Sequence, residues 1–489
     1  MVDIKKIVEI INGLGIRTFT FDYGVYNNYI VNCYKWYKGR VPTFHIQKGL
    51  NNGFKSCSYE KAKLFMGKHV CEDLAGLICS ENINIVIDDK NVNELLLGHD
   101  EMSGILGNND FWIQLNKCYE LTCGLGTGAM EVILENLLSM DGNLLSDKNT
   151  KIKIARYDAL NIVPLTWDNC GNIEEVAFID EYQIKNDYFL ELRLHVIGED
   201  GNYVIYNKKY KVNYMEAQGT QDINNKFMLI NDSSILEKFE TKSDIPWFIC
   251  FKTAKVNSYD IKSPMGASVY GDSIDVLESV DDAFNALRGD LRFGAKKVNM
   301  HKSLLSKDKD GNVILPDDGD FTNQVYFFGN AKDDPADVKN MIIYNDAPIR
   351  SKELSEALNL SLDILSFKVG LGHGYYKFTS DGVQKTAKEV ISQNSDLYRN
   401  VCKQQLAIEK PILSLMRTII YANNFVFKTN YNVNCPIAIN FDASIIEDIT
   451  QDRERALKEV ELGILSIKEY RAKYYSELEN IEDANKNKE

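Results

Sequence analysis

The chain has 489 residues, 44% hydrophobic and 26% charged, enough for several folding units with substantial cores. Its formal net charge of -14 and sequence pI near 5.1 argue against a protein that grips duplex DNA, because such proteins show a basic face. They do not argue against a surface that DNA slides past, since a neutral or acidic wall does not hold a duplex carrying about one negative charge per 1.7 Å.

No stretch approaches the roughly 20 apolar residues that span a bilayer. The opening MVDIKKIVEIINGLG is broken by Lys5, Lys6 and Glu9 and carries no cleavage pattern. A protein made and kept in a cytoplasm, without a membrane partner, is expected. The ten cysteines lack zinc-site spacing, Cys118 and Cys123 included, and read as reduced, mostly buried thiols.

Residues 1 to about 110 read as helical and mixed. Trp36–Gln47 (WYKGRVPTFHIQ) reads as an aromatic turn or short strand broken by Gly39 and Pro42. Ser58–Glu81 reads as one amphipathic helix, with Ala62, Phe65, Met66, Val70, Leu74, Leu77 and Ile78 recurring every three or four residues. Ile83–Ile87 alternates as a strand, and FWIQLNKCYELT looks helical.

From about 151 to 255 the period becomes two. KIKIARY, IEEVAFIDEY, YFLELRLHVI and YVIYNKKYKV predict an antiparallel meander, with turns at Asp168–Gly171 and Glu199–Asn202. Trp247–Lys252 is a further strand. After a loop over Ser263–Ser273 a long helix is expected, its stripe running Ile274, Leu277, Val280, Phe284, Leu287, Leu291, Ala295 and Val298. Asp275, Glu278, Asp281 and Asp282 crowd its start and Arg288, Arg292, Lys296 and Lys297 its end, an order that suits the helix dipole.

Residues 299–348 predict a small unit with strands at Val325–Phe328 and Met341–Tyr344, turns at Asp308–Gly311 and Asp317–Asp320, and Pro335. A second helix is expected over Ser351–Val369, with Leu354, Leu358, Leu362, Leu365 and Val369 on one side. The glycine-rich loop Gly370–Gly382 follows, then a very long helix over Val383–Asn423 that Pro411 should kink. FVFKTNY and CPIAINF read as strands, and roughly 445–478 as a charged helix. Two helices bracketing a small β unit suit an elongated subunit packed side by side in a ring better than a compact enzyme.

Chemical motifs are sparse. Gly124, Gly126 and Gly128 in CGLGTGAME have G-x-G-x-G spacing, not the dinucleotide fingerprint, and follow a helical segment. A flexible turn or small-residue packing is the stronger reading. A nucleotide-dependent enzyme would need that turn to bind nucleotide. No G-x-x-x-x-G-K-[ST] or G-x-S-x-G occurs, and the six histidines (45, 69, 99, 195, 301, 373) form no metal motif. His195 reads as a wall residue of a strand, and His373 as a loop side chain with a polar contact. No catalytic residue and no cofactor are expected. Tyr375, Tyr376 and Lys377 in the glycine loop either touch a passing polyanion, Lys377 on phosphates, or belong to a plain interhelical connector.

Several stretches together resemble portal proteins of long-tailed phages (siphovirus or myovirus type) of Gram-positive bacteria. They are Trp36–His45, KAKLFMGKHVCEDLAGLICSE, IKSPMGASVYGDSIDVLESVDDAFNALRGDLRFGAKKV, DILSFKVGLGHGYYKF with DGVQKTAKEVISQNSDLYRNV, and INFDASIIEDITQDRERALKEVELGILS. They span nearly the whole chain in the family's order. The resemblance implies an α+β portal fold with a mixed α/β wing over 1–272 and stem helices over 273–297 and 351–369. It implies a β-containing clip over 298–350, a tunnel loop over 370–382 and a long kinked wing helix with strands over 383–444. A short helical crown would occupy 445–489.

Carried over by position, Gly372, His373, Gly374, Tyr375, Tyr376 and Lys377 would line the channel. Arg288, Arg292, Lys296, Lys297, Leu354, Leu358 and Leu362 would lie in the stem, and Pro411 at the kink. The implied partners are further copies in a dodecameric ring and double-stranded DNA passing without sequence readout. Terminase large subunit, major capsid and scaffolding proteins, and a head-completion adaptor complete the set. The implied place is the unique capsid vertex of the virion, the route of DNA packaging and ejection, with assembly in the host cytoplasm. The alternative is another head–tail connector or minor capsid protein without a DNA channel.

Overall fold

The computed structural model describes residues 4–18, 23–50, 56–79, 83–99, 103–135, 138–140, 143–145, 150–212, 227–230, 236–294, 297–304, 325–329, 341–345, 348–378 and 387–441. The expected crown and the turns at 308–311 and 317–320 lie outside these residues, as does Pro335.

The strands used below are β1 (Ile46–Leu50), β2 (Ser56–Glu60), β3 (Asn84–Ile87), β4 (Thr127–Glu135), β5 (Lys151–Asp158), β6 (Ile162–Trp167), β7 (Ile173–Ile184) and β8 (Asp187–Ile197). After them come β9 (Tyr203–Val212), β10 (Phe227–Ile230), β11 (Lys238–Glu240), β12 (Phe248–Lys252), β13 (Lys297–His301), β14 (Val325–Phe328), β15 (Ile342–Asn345) and β16 (Ile437–Asn440). The main helices are α1 (Met66–Ile78), α2 (Phe111–Leu125), α3 (Ile274–Phe293), α4 (Ser351–Lys368) and α5 (Ala387–Phe427). The fold is mixed α+β, as expected.

The chain divides into two compact units. The first comprises 1–34, 69–269 and 385–489, and the second 35–68 and 270–384.

In the first unit the meander runs β6-β7-β8-β9-β10 with β11 also paired to β9. Its turns use the expected residues. Asp168 accepts the amides of Cys170 and Asn172, and Gly171 takes φ +80. Asp200 accepts from Asn202, and Gly201 takes φ +78. KIKIARY departs from the expectation: as β5 it leaves the meander and pairs with β4, which pairs with β12 in a separate three-stranded sheet. β3 pairs with β16.

α5 packs on β12 and β4. Ile408, Ile412, Leu415, Ile419 and Ala422, one helical face, are fully buried. The helix runs through Pro411 and extends to Phe427, so FVFKTNY is not a strand. Phe425 is already packed on Trp247 and Phe239 as a helical residue. Asn424 then accepts the Tyr431 amide and closes the end.

His195 is more than a wall residue. Its Nε2 lies 2.8 Å from Glu131 Oε1 on β4, and both side chains are buried. Glu131 Oε2 accepts from Tyr157 on β5 at 2.9 Å and pairs with Arg193 Nε on β8 at 3.0 Å. Arg193 also pairs with Asp180 on β7. This network ties the two sheets together. Burial alone would raise the Glu131 carboxyl, but Arg193 and the His195 and Tyr157 donors overcome it and hold it below the usual range. Burial raises the Asp180 carboxyl, against the pull of Arg193 and the Tyr157 hydrogen bond.

A carboxyl depressed on folding contributes stability that is present above its unfolded value of about 4.3 and lost as pH falls through its folded value. The Glu131→Gln variant is therefore expected to lose less stability than the wild type on acidification below about pH 4.3. Parallel stability–pH curves from urea unfolding would contradict this role.

Candidate functional site

The glycine turn is resolved first. α2 ends at Leu125, Gly126 caps it with φ +90, and β4 begins at Thr127. The order is helix, turn, strand. A phosphate cradle needs the opposite order, with amides of a helix N-terminus facing the anion. A helix C-terminus carries partial negative charge and repels phosphate.

The turn is packed against Gly266. A Cβ on Gly126 would lie 2.3 Å from the Gly266 carbonyl oxygen, and one on Gly266 would lie 2.3 Å from that of Gly126. The glycines permit close backbone approach, which is the packing reading.

The second unit centres on the pair α3 and α4, which run antiparallel. Val276, Leu277 and Val280 of α3 and Leu358, Leu362 and Leu365 of α4 are buried, and Leu354 is half-buried. At one end Arg350 holds Asp290 through two side-chain bonds of 2.9 and 3.0 Å. The Arg350 hydrogen bonds hold the Asp290 carboxyl below its usual range. At the other end Lys368 Nζ lies 3.4 Å from Asp275.

α3 is shorter than expected. It ends at Phe293, where Gly294 has no room for a side chain: a Cβ there would meet Ile349 at 2.7 Å. Arg288 is exposed on α3 and Arg292 lies in its last turn. Lys297 opens β13 instead of ending the helix, Val298 is also in β13, and Ala295 and Lys296 lie outside the described residues. Leu291, placed on the apolar stripe by sequence, is 55% exposed. β13 pairs in parallel with β14 and antiparallel with β15, so a three-stranded sheet connects the two helices.

Residues 35–68 belong to the same unit and correct two expectations. Pro42 opens a short helical turn, Pro42–His45, instead of breaking a strand, because proline suits a first helical position. The helix expected over 58–81 begins only at Met66, preceded by β2. The intervening amides go to α3 instead: Leu64 donates to Asp281 Oδ1 at 2.8 Å and Ala62 to Asn285 at 3.0 Å. Phe65 then turns the chain at φ +57.

Asp281 is therefore not a solvated dipole charge. Its Oδ2 lies 3.0 Å from Nε2 of the fully buried His45. His45 Nδ1 accepts the Val41 amide at 2.9 Å, which places the ring proton on Nε2. Burial raises the Asp281 carboxyl above its usual value, against the His45 and Leu64 donors. The available signal was position, since Asp281 falls on the same face as Leu277 and Phe284.

The glycine loop follows α4. Gly370, Gly372 and Gly374 take φ +82, +83 and +74, a backbone that side chains resist. The loop folds over the end of α4. Gly374 donates to Asp363 Oδ1, Tyr376 to Ser366 Oγ at 3.2 Å and Phe378 to Asn359 Oδ1 at 3.0 Å. His373 Nδ1 lies 3.3 Å from Asp363 Oδ2, and its ring stacks on Phe367 at 4.8 Å. That is the polar contact expected of it. Gly372 is buried, Tyr376 half-buried, and Tyr375 and Lys377 exposed, with the two tyrosine rings edge to face at 5.0 Å. Of the six predicted loop residues, His373, Gly374 and Tyr376 bond to α4.

An antiparallel helix pair carries a small sheet at one end and a glycine loop at the other, in a chain that also holds a β-rich unit crossed by a long helix. Over residues 29–489 the chain matches the family described as phage portal protein, SPP1 Gp6-like, and it belongs to that family. It is a portal protein, a structural component of the phage virion.

Among solved structures it is similar to a chain in the neck of a native gene transfer agent (GTA) particle computed with C12 symmetry. That match has 9% identity and TM-score 0.41, covering 83% of this chain and 88% of that one. A chain in the neck of an empty GTA particle computed with C6 symmetry shows 11% identity, TM-score 0.41 and the same coverages. One in the virion of a native GTA particle shows 9% identity and TM-score 0.37, covering 91% and 92%. No curated protein matches the chain.

Two outcomes are expected of the residues just described. Gly126→Ala forces a left-handed alanine into a carbonyl and should cost about 2–4 kcal/mol in thermal or urea unfolding. Gly171→Ala, at φ +80 with nothing within 4 Å, should cost less, and equal costs would contradict the close-approach account. Asp281→Ala leaves a buried donor, His45 Nε2, and the half-buried Leu64 amide unpaired and should cost about 2–4 kcal/mol, more than Asp281→Asn, which keeps one acceptor. An Asp281→Ala variant as stable as wild type would remove its assigned role.

Proposed function

We propose that copies of this chain close into a ring at the unique capsid vertex and form the channel for DNA packaging and ejection. Head-to-tail contacts between identical subunits close by rotation, and twelve is the number the family resemblance suggests. α3 and α4 form the stem, and residues 370–382 the tunnel loop.

The 298–350 region is the clip, which meets the terminase large subunit during packaging and the head-completion adaptor afterwards. Major capsid and scaffolding proteins surround the wing, residues 1–272, with Pro411 bending the long helix within the helix-and-strand segment 383–444 and residues 445–489 in the crown. Assembly takes place in the host cytoplasm. The phage is long-tailed and its host Gram-positive.

The observation that carries this reading is the α3–α4 pair with the loop folded onto its end. Such a loop presents Tyr375 and Lys377 from a fixed scaffold. Contact with DNA there is weak and unspecific, because in an intact duplex phosphates are the most accessible groups. The acidic chain favours passage over retention.

Deleting Tyr375–Lys377 should leave ring assembly intact and impair DNA packaging or retention, measured by complementing a portal-null phage and weighing packaged DNA. Normal packaging by that variant would remove the tunnel-loop assignment.

A further inference from the structure

The loop's donors already have an anion. Asn359, Asp363 and Ser366 stand four and three residues apart, on one face of α4. Each accepts one backbone N–H of the loop. Asp363 is the charged member, and it takes two donors at once: the Gly374 amide and Nδ1 of His373. A carboxylate only accepts, so the proton between them sits on the imidazole. Stacking on Phe367 at an interplanar angle of 15° fixes the ring in that direction.

The surrounding backbone, with left-handed glycines at 370, 372 and 374, is of the kind whose successive amides form anion-binding concavities. A phosphate oxygen presents the same chemistry as the carboxylate.

We propose that Asp363 is an internal stand-in for phosphate. By occupying the Gly374 and His373 donors it keeps the loop retracted on α4 and withholds from passing DNA a pair of groups suited to a phosphodiester oxygen. The competition favours Asp363 because it is tethered, at an effective concentration of the millimolar order for a short link. The loop then presents DNA with transient contacts only. The retraction is a property of this chain, whereas the phosphate competition rests on the channel reading above.

The test uses the full chain as wild type, Asp363→Ala and Glu356→Ala, the last removing the same charge from an exposed position of α4. Hydrogen–deuterium exchange over 370–378 should accelerate several-fold in Asp363→Ala, stay at the wild-type rate in Glu356→Ala, and be restored by Asp363→Glu. Binding of a short double-stranded DNA at low salt, read by fluorescence anisotropy, should tighten several-fold in Asp363→Ala. It should not tighten in Glu356→Ala, and the gain should vanish in Asp363→Ala combined with His373→Ala.

Unchanged exchange in Asp363→Ala would overturn the retraction itself. Accelerated exchange with DNA binding no tighter than in Glu356→Ala would overturn the phosphate competition. The exchange readout needs neither a ring nor DNA, so its outcome is separate from the fate of the channel reading.

Discussion

The antiparallel pairing of α3 and α4 is the constraint on which the second unit depends. Leu358, Leu362 and Leu365 face the partner helix, while Asn359, Asp363 and Ser366, each one residue along, present an adjacent polar face to the glycine loop. Burying the first stripe fixes the rotation of α4, and that rotation sets where the loop amides find acceptors. The ion pairs Asp290–Arg350 and Asp275–Lys368 sit at opposite ends and fix the register. Both are exposed and weaken with salt, so apolar packing supplies the main holding force and the pairs select the alignment.

A net charge of -14 suggests a surface of free carboxylates, yet several acids are internal fittings. Asp281 binds an amide and a histidine, Glu131 joins two sheets, and Asp363 holds the loop. Asp281 and Glu131 replace water as acceptors for donors that folding would otherwise strand. The acidity is thus partly structural. On the proposed reading it also suits a channel, where affinity for a polyanion hinders movement.

Periodicity carried much of the fold. The meander strands, the turns at Asp168 and Asp200 and the leucine stripe of α4 follow from alternation, turn chemistry and helical spacing. What failed did so where another segment supplied the hydrogen-bond partner. Residues 59–64 fit a helical pattern, but Tyr59 and Glu60 pair in β2, and the Ala62 and Leu64 amides are taken by Asn285 and Asp281, more than two hundred residues later. FVFKTNY has strand composition, but Phe425 is claimed by Trp247 and Phe239 while still on α5. KIKIARY alternates correctly, and alternation does not say which sheet a strand joins. The loop residues were legible as a group from their glycines. Their anchors on α4 were not, because Asn359, Asp363 and Ser366 look like ordinary solvent-facing helix residues.

The most direct test of the account is negative-stain electron microscopy of the purified full chain, with its mass measured in parallel. The account predicts rings with a central hole and a mass of many 55.7 kDa subunits. A compact monomer or dimer that persists at high concentration and in the presence of scaffolding protein would contradict it.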